Sequence, residues 1–383
     1  MSSWLRVDLR RMIDVLLFYP SNKRTVQLES LIIALHDRGV RIELLTTCEA
    51  GPLHEYLASH GIPVHAHPVS GRNALVYYVR QIGYLAWFCR RRRVKTVFSN
   101  LQHANFIAVF AQFLVRSRVI AFRHHSSFAL PGEARNRMEQ LFDKVINRLA
   151  RTIVVPSRAV YNGMQSVERA DMSRVILLPY FYDFGRYDDP DQAAVAAIRE
   201  RYPARLTLLM SSRLIAFKRP ALAFTVVRDL VKEGLDIRMI VLDDGPERGS
   251  LEQFVDDHGL QDRITLLGFR PDVVNYIAAA DVLVHPSIAE ASSNAVKEMA
   301  LLGRTVIACE GVGDFDDFIE PGRNGFLVPR STDGSEIAAA VRQLYDAPER
   351  AQAMGNLLRE AVVERFGLRP EIVDRYLELA AAS

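Results

Sequence analysis

The sequence predicts an α/β protein of two doubly wound domains, each built on a parallel sheet. Short β-branched apolar runs alternate with helix-period segments almost from end to end, the pattern of linked βαβ units. At 383 residues the chain is too long for one ordinary core. Neither a short-period repeat nor a low-complexity tract interrupts the alternation. Apolar residues make up 49% and charged residues 24%, the balance of a folded globular chain.

The first half reads as strand 13–18, helix 25–38, strand 41–46, and a short helix and strand up to His65. Helix 74–91, strand 94–99, helix 104–115 and strand 118–122 follow. Helix 134–149, strand 152–155, helix 159–167 and strand 174–178 close it. The second half places strands at 205–210, 238–242, 264–267, 281–284, 305–308 and 325–328. The polar stretch 183–190 is the best linker, giving domains 1–185 and 186–369. A final helix over 370–383 can pack back on the first domain.

No apolar run approaches the roughly 18–20 residues of a membrane helix, and the opening Met1–Arg6 lacks the apolar core of a signal peptide. Cys48, Cys89 and Cys309 are odd in number and far apart, which argues against a disulfide framework or a zinc site. A cytoplasmic location is expected. The net charge of +3 conceals an asymmetry: residues 1–180 hold 25 Lys+Arg against 12 Asp+Glu, a net of +13, and the remainder carries −10. A basic half suggests an anionic partner for that half, although solvated helix faces would read the same way. No nucleic-acid recognition motif accompanies the basic charge.

The most telling stretch runs from His285-Pro286-Ser287 through Glu290 to Glu298. Glu290 falls in the loop leaving strand 281–284, and Glu298 about two turns into the next helix. In open α/β sheets such a loop faces the ligand crevice, and a helix start offers N–H groups to a phosphate. This Glu-x7-Glu stretch, with the Gly303-Arg304-Thr305-Val306-Ile307-Ala308 turn after it, resembles the signature of retaining glycosyltransferase family 4, a GT-B family that uses nucleotide sugars.

The resemblance implies a GT-B fold, two Rossmann-like domains facing a central cleft, and roles for particular residues. Ser211–Pro220 resembles the family loop whose Arg and Lys hold the donor diphosphate, here Arg213 and Lys218. Two cations there can neutralise the leaving group's charge without a metal. Glu298 would hold the ribose hydroxyls and Glu290 those of the sugar, with backbone N–H groups near Ser292, Ser293 and Asn294 against phosphate or sugar. Gly268 would let the base approach the chain. Asp243-Asp244-Gly245 reads as a structural turn with Gly245 at positive φ rather than a metal site. The glycines of 310–314 and 320–328 would shape loops. His124 or His125, with His124 preferred, would face the reacting sugar, and His103 is a weaker candidate.

Two departures fall on the acceptor side. The first loop, Tyr19–Arg24, lacks the family's glycines, so contacts there would come from Asn22, Lys23 or Arg24. The usual Pro-Asn-Gly-Val-Asp linker survives only as Pro179 and Asp183.

The implied activity is retaining, metal-independent and cofactor-free transfer from a UDP- or GDP-sugar to a glycan or lipid-linked acceptor, in the synthesis of a surface polysaccharide such as lipopolysaccharide. The departing diphosphate would itself take the acceptor proton. A nucleotide-sugar 2-epimerase on a similar scaffold and a non-catalytic nucleotide-sugar-binding protein are the rival readings. The aromatic segment 75–88, ending in Arg90–Arg93, reads either as a crossover helix with cations at its C-terminal end or as a helix lying on an anionic membrane surface.

Overall fold

A computed structural model describes residues 12–71, 73–124, 137–185, 190–290 and 292–381. Two compact units divide the chain, with boundaries at Asp183/Phe184 and Gly367/Leu368, so that the C-terminal segment belongs to the first unit.

The first unit holds a seven-stranded parallel sheet. Its strands are β1 Val15–Tyr19, β2 Ile42–Thr46, β3 Val64–Ala66, β4 Thr96–Asn100, β5 Arg118–Phe122, β6 Thr152–Val155 and β7 Val175–Leu177, in the order β3-β2-β1-β4-β5-β6-β7. β1 is buried on both faces, and its alternation sorts side chains into two cores. Val15, Leu17 and Tyr19 pack with helices Val26–Asp37, Pro52–Ser59 and Pro370–Ala381, while Leu16 and Phe18 pack with helices Ala74–Arg92 and Gln102–Ala111. Each such side chain contributes about 1.5–3 kcal/mol on burial.

The C-terminal helix is stitched to this sheet by named bonds. Thr96 Oγ1 donates to Ala380 O at 2.9 Å, and Tyr376 donates its hydroxyl to Pro179 O at 3.2 Å.

The second unit holds a six-stranded parallel sheet of β8 Leu206–Ser211, β9 Ile237–Leu242, β10 Ile264–Gly268, β11 Val282–His285, β12 Thr305–Cys309 and β13 Phe326–Val328. The order is β10-β9-β8-β11-β12-β13, with β11 pairing β8 through Val282 opposite Leu208. This is the doubly wound order whose direction of winding reverses between its first and fourth strands. The loops after β8 and β11 therefore leave adjacent strands at the switch point, where such folds bind ligands.

Several expectations change on contact with the structure. Glu298 lies one turn into its helix, not two, because Asn294–Leu301 is the helix and 286–293 is loop. The left-handed residue of the Asp243-Asp244-Gly245 turn is Asp243, at φ 78°, and not Gly245. Gly245 is needed for space instead: a Cβ there would lie 2.3 Å from Leu214 O. Arg92 is not part of an exposed basic run. It is 3% exposed and paired with Glu43, which also accepts from His65 at 2.7 Å. Of the linker 183–190, residues 186–189 lie outside those described, as do 134–136 of the expected helix start.

Candidate active site

Four loops at the C-terminal ends of β10, β9, β8 and β11 are laced together by backbone hydrogen bonds. Asp243 N donates to Gly268 O at 2.9 Å, Leu214 N to Asp244 O at 3.0 Å, and Ile288 N to Phe217 O at 2.9 Å. Ser287 Oγ adds a bond to Ala289 O at 3.0 Å that closes the β11 loop on itself. Side chains carried by these loops are thus held on rigid backbone.

Lys218 and Glu290, expected to serve diphosphate and sugar separately, are brought into direct contact. The Lys218 ammonium bonds Glu290 Oε1, and His285 Nε2 lies 2.7 Å from the same oxygen. Burial alone would raise the Glu290 pKa. The hydrogen bond and attraction of His285 and the charge of Lys218 outweigh it and hold the carboxyl down at about 2. An ionised carboxylate only accepts, so His285 Nε2 is the donor. Arg213 lies exposed on the same loop as Lys218, with no side-chain partner among the described residues.

His285 opens the signature stretch in the sequence but is given no role there. It is the last residue of β11, 2% exposed, with its ring edge-on to Phe315 at 5.7 Å. A histidine ending a fully buried strand five residues before a candidate carboxylate was the available signal.

Lys297 was also missed. It is fully buried in helix Asn294–Leu301 and donates to Asp314 Oδ2 and Ser292 Oγ, both at 2.8 Å. Ser292 Oγ in turn donates to Asp314 at 2.7 Å, and the ammonium sits 4.4 Å from the Phe366 ring centroid. Burial pulls the Lys297 pKa down while Asp314 pushes it up. This network ties the 310–314 turn to the start of the helix. Ser293, its N-cap, makes no side-chain cap bond, which leaves the helix start to its backbone N–H groups. Glu298 is half-buried one turn along from Asn294. Gly268 has φ 70°, with Arg248 Nη1 at 3.3 Å from where a Cβ would be.

In the first unit, His124 follows β5, and its Nε2 donates to Asn100 Oδ1 at 3.2 Å while Nδ1 accepts from the Tyr180 hydroxyl. Tyr19, Asn100, His124, Tyr180 and Tyr376 line one small pocket at this unit's own switch point, between β1 and β4. His125 lies outside the described residues.

His103 is set apart from this group. It bonds the Tyr78 hydroxyl at 2.6 Å and meets Phe142 edge-on. In the first loop, Asn22 Nδ2 donates to Glu49 O at 3.0 Å and Lys23 is exposed. Arg24 is committed to Glu29 by two bonds of 2.9 and 2.8 Å and lies 3.7 Å over the Tyr56 ring.

Residues 192–360 match the family described as glycosyl transferases group 1, and residues 25–180 match the glycosyl transferase 4-like domain. The chain is a GT-B glycosyltransferase. It is similar to the alpha-D-kanosaminyltransferase of Streptomyces kanamyceticus, with 27% identity over 71% of this chain and 75% of that protein. The lipopolysaccharide core biosynthesis glycosyltransferase LpsD of Rhizobium meliloti is 32% identical over 39% of this chain and 43% of its own length. Among solved structures, Anabaena HepE in complex with UDP and glucose superposes with a TM-score of 0.82 over 97% of this chain and all of that one, at 19% identity. Sucrose-phosphate synthase of Thermosynechococcus elongatus gives 0.82 over 96% of this chain and all of that one, at 18%. At those identities the likeness is one of fold. Among its described residues no helix is long and apolar enough to cross a membrane.

Proposed function

We infer that this glycosyltransferase retains the donor's anomeric configuration, needs no metal or cofactor, and transfers a hexose-type sugar from a UDP- or GDP-sugar. The observation that carries the reading is the Lys218–Glu290–His285 cluster beside exposed Arg213 at the switch point of the second unit. In this reading the second unit, Phe184–Gly367, binds the donor. Arg213 and Lys218 face the diphosphate, Lys218 exchanging Glu290 for it, and Glu290 then meets the sugar hydroxyls. Ser292, Ser293 and Asn294 offer the helix start to phosphate or sugar, Glu298 holds the ribose and Gly268 borders the base. His124, or His125, of the first unit is assigned to the reacting sugar in this reading. The leaving diphosphate takes the acceptor proton, so no protein base is required.

A thermal-shift screen with UDP, GDP, ADP and their sugars tests donor choice, since ligand at 100 times its Kd stabilises by about 2.7 kcal/mol. NMR of the product's anomeric centre tests retention. An inverted product, or no stabilisation by any nucleotide, overturns the reading.

The acceptor in this reading is a glycan or lipid-linked sugar at the inner face of a membrane. Relatives acting in lipopolysaccharide core synthesis support it, as does the outward face of helix Ala74–Arg92. Leu75, Val79 and Trp87 are 72%, 59% and 54% exposed there, beside exposed Arg90 and Arg91. Apolar side chains flanked by arginines suit an anionic lipid surface.

A further inference from the structure

Two donors converge on one oxygen of Glu290. His285 Nε2 and the Lys218 ammonium both bond Oε1, and no hydrogen bond or ion pair of Oε2 occurs among the described residues. The two donors differ in kind. Lys218 rides on a short helical turn, Ala216–Lys218, in a loop, and its long side chain can change partner. The His285 ring cannot readily do so: it is buried at the end of β11, opposite Ala308 in register, with Phe315 against its edge. If Lys218 turns to a diphosphate, Glu290 loses one anchor and keeps only the histidine.

We propose that His285 is a positioning residue for the transfer: it pins Oε1 of Glu290 and so presents Oε2, the open acceptor, to a hydroxyl of the transferred sugar. The proposal rests on the reading of Glu290 as the carboxylate that meets the donor sugar. Its chemical requirement is narrow. The residue at 285 must supply an N–H at the position of Nε2, which a glutamine amide reaches and an asparagine amide does not.

The test compares His285→Asn, His285→Gln, Glu290→Gln and the double variant His285→Asn/Glu290→Gln in the full chain, with UDP and UDP-glucose as probes. Circular dichroism checks that each is folded. Turnover of UDP-glucose should fall roughly 10–100-fold in H285N, the scale of a misplaced reacting group. Affinity for UDP should stay within about 2-fold, and H285Q should regain most of the loss. The double variant should be no worse than E290Q alone, because both changes remove one unit of function.

An impaired E290Q beside a fully active H285N overturns the role of His285 and leaves the Glu290 reading standing. A fully active E290Q removes the Glu290 reading, and this proposal with it. Losses that multiply in the double variant also overturn it. An arm that needs no donor is the ¹⁵N imidazole spectrum of the unliganded protein. His285 should carry its proton on Nε2, in a signal that shifts in E290Q. A ring protonated on Nδ1 alone overturns the proposal, whether or not UDP-glucose is a substrate.

Discussion

Glu290 shows how a single side chain acquires a pH signature from its neighbours. Its pKa in the folded chain is about 2, against an ordinary 4.5, so folding favours the ionised form. The stability it supplies is complete above about pH 4.5 and is lost as pH falls toward 2. Urea unfolding of the parent and of Glu290→Gln should therefore differ most near neutrality and converge in that acid window. A difference that stays constant from about pH 6 to about pH 2.5 would count against the pairing. Kinetically, Arg213→Ala or Lys218→Ala should lower turnover roughly 10²–10³-fold, the scale of one lost electrostatic contact in the transition state. Turnover in excess EDTA should be unchanged. Abolition by EDTA with rescue by Mn²⁺ would instead point to the Asp243-Asp244 carboxylates.

At the scale of elements, the start of helix Asn294–Leu301 is held by a buried ion pair rather than by a capping side chain. Lys297 is 1% exposed and Asp314 2%. Lys297→Ala would leave the aspartate buried without its cation, so it should destabilise the chain by about 3–5 kcal/mol in chemical denaturation. Lys297→Met with Asp314→Leu should recover most of that loss, since apolar replacement of a buried pair is often neutral. The recovered variant should still bind nucleotide sugar less well, because Ser292 has lost both of its partners. Full donor affinity in the double variant would show that the network serves stability alone.

For the whole molecule, the net +13 of residues 1–180 is a test of partner as much as of fold. If it serves an anionic membrane, co-sedimentation with vesicles should rise with anionic lipid and fall with salt, because charges are screened within about 8 Å at 0.15 M. Reversing Arg90, Arg91 and Arg93 to Glu should release the protein, at about 1 kcal/mol per residue, without affecting free-nucleotide binding. Arg92 must be left in place: with its guanidinium against buried Glu43, its removal would damage the core. Equal sedimentation with neutral and anionic vesicles at low salt would leave the asymmetry without a membrane role.

The sequence by itself determined the alternation of strands and helices, and with it two parallel sheets, because strand and helix periods are local properties of ten or so residues. Arg118–Phe122 and Thr152–Val155 have the same bounds in both readings. It also marked the loops of the candidate site, since Arg213, Lys218, Glu290 and Glu298 follow strands in a recognisable order. Only the tertiary structure decided who meets whom. Lys218 and Glu290 are 72 residues apart and are joined because β8 and β11 are neighbours across the switch point. Lys297 lies four residues before buried Leu301, so helical periodicity could flag it as inward-facing. Asp314, its counter-charge, comes from a turn after the next strand and has no local signal. Arg92 looked like one of four solvated arginines until helix Ala74–Arg92 was seen to turn it toward Glu43 on β2. Periodicity is written along the chain, whereas a charge finds its partner only where strand order brings distant segments side by side.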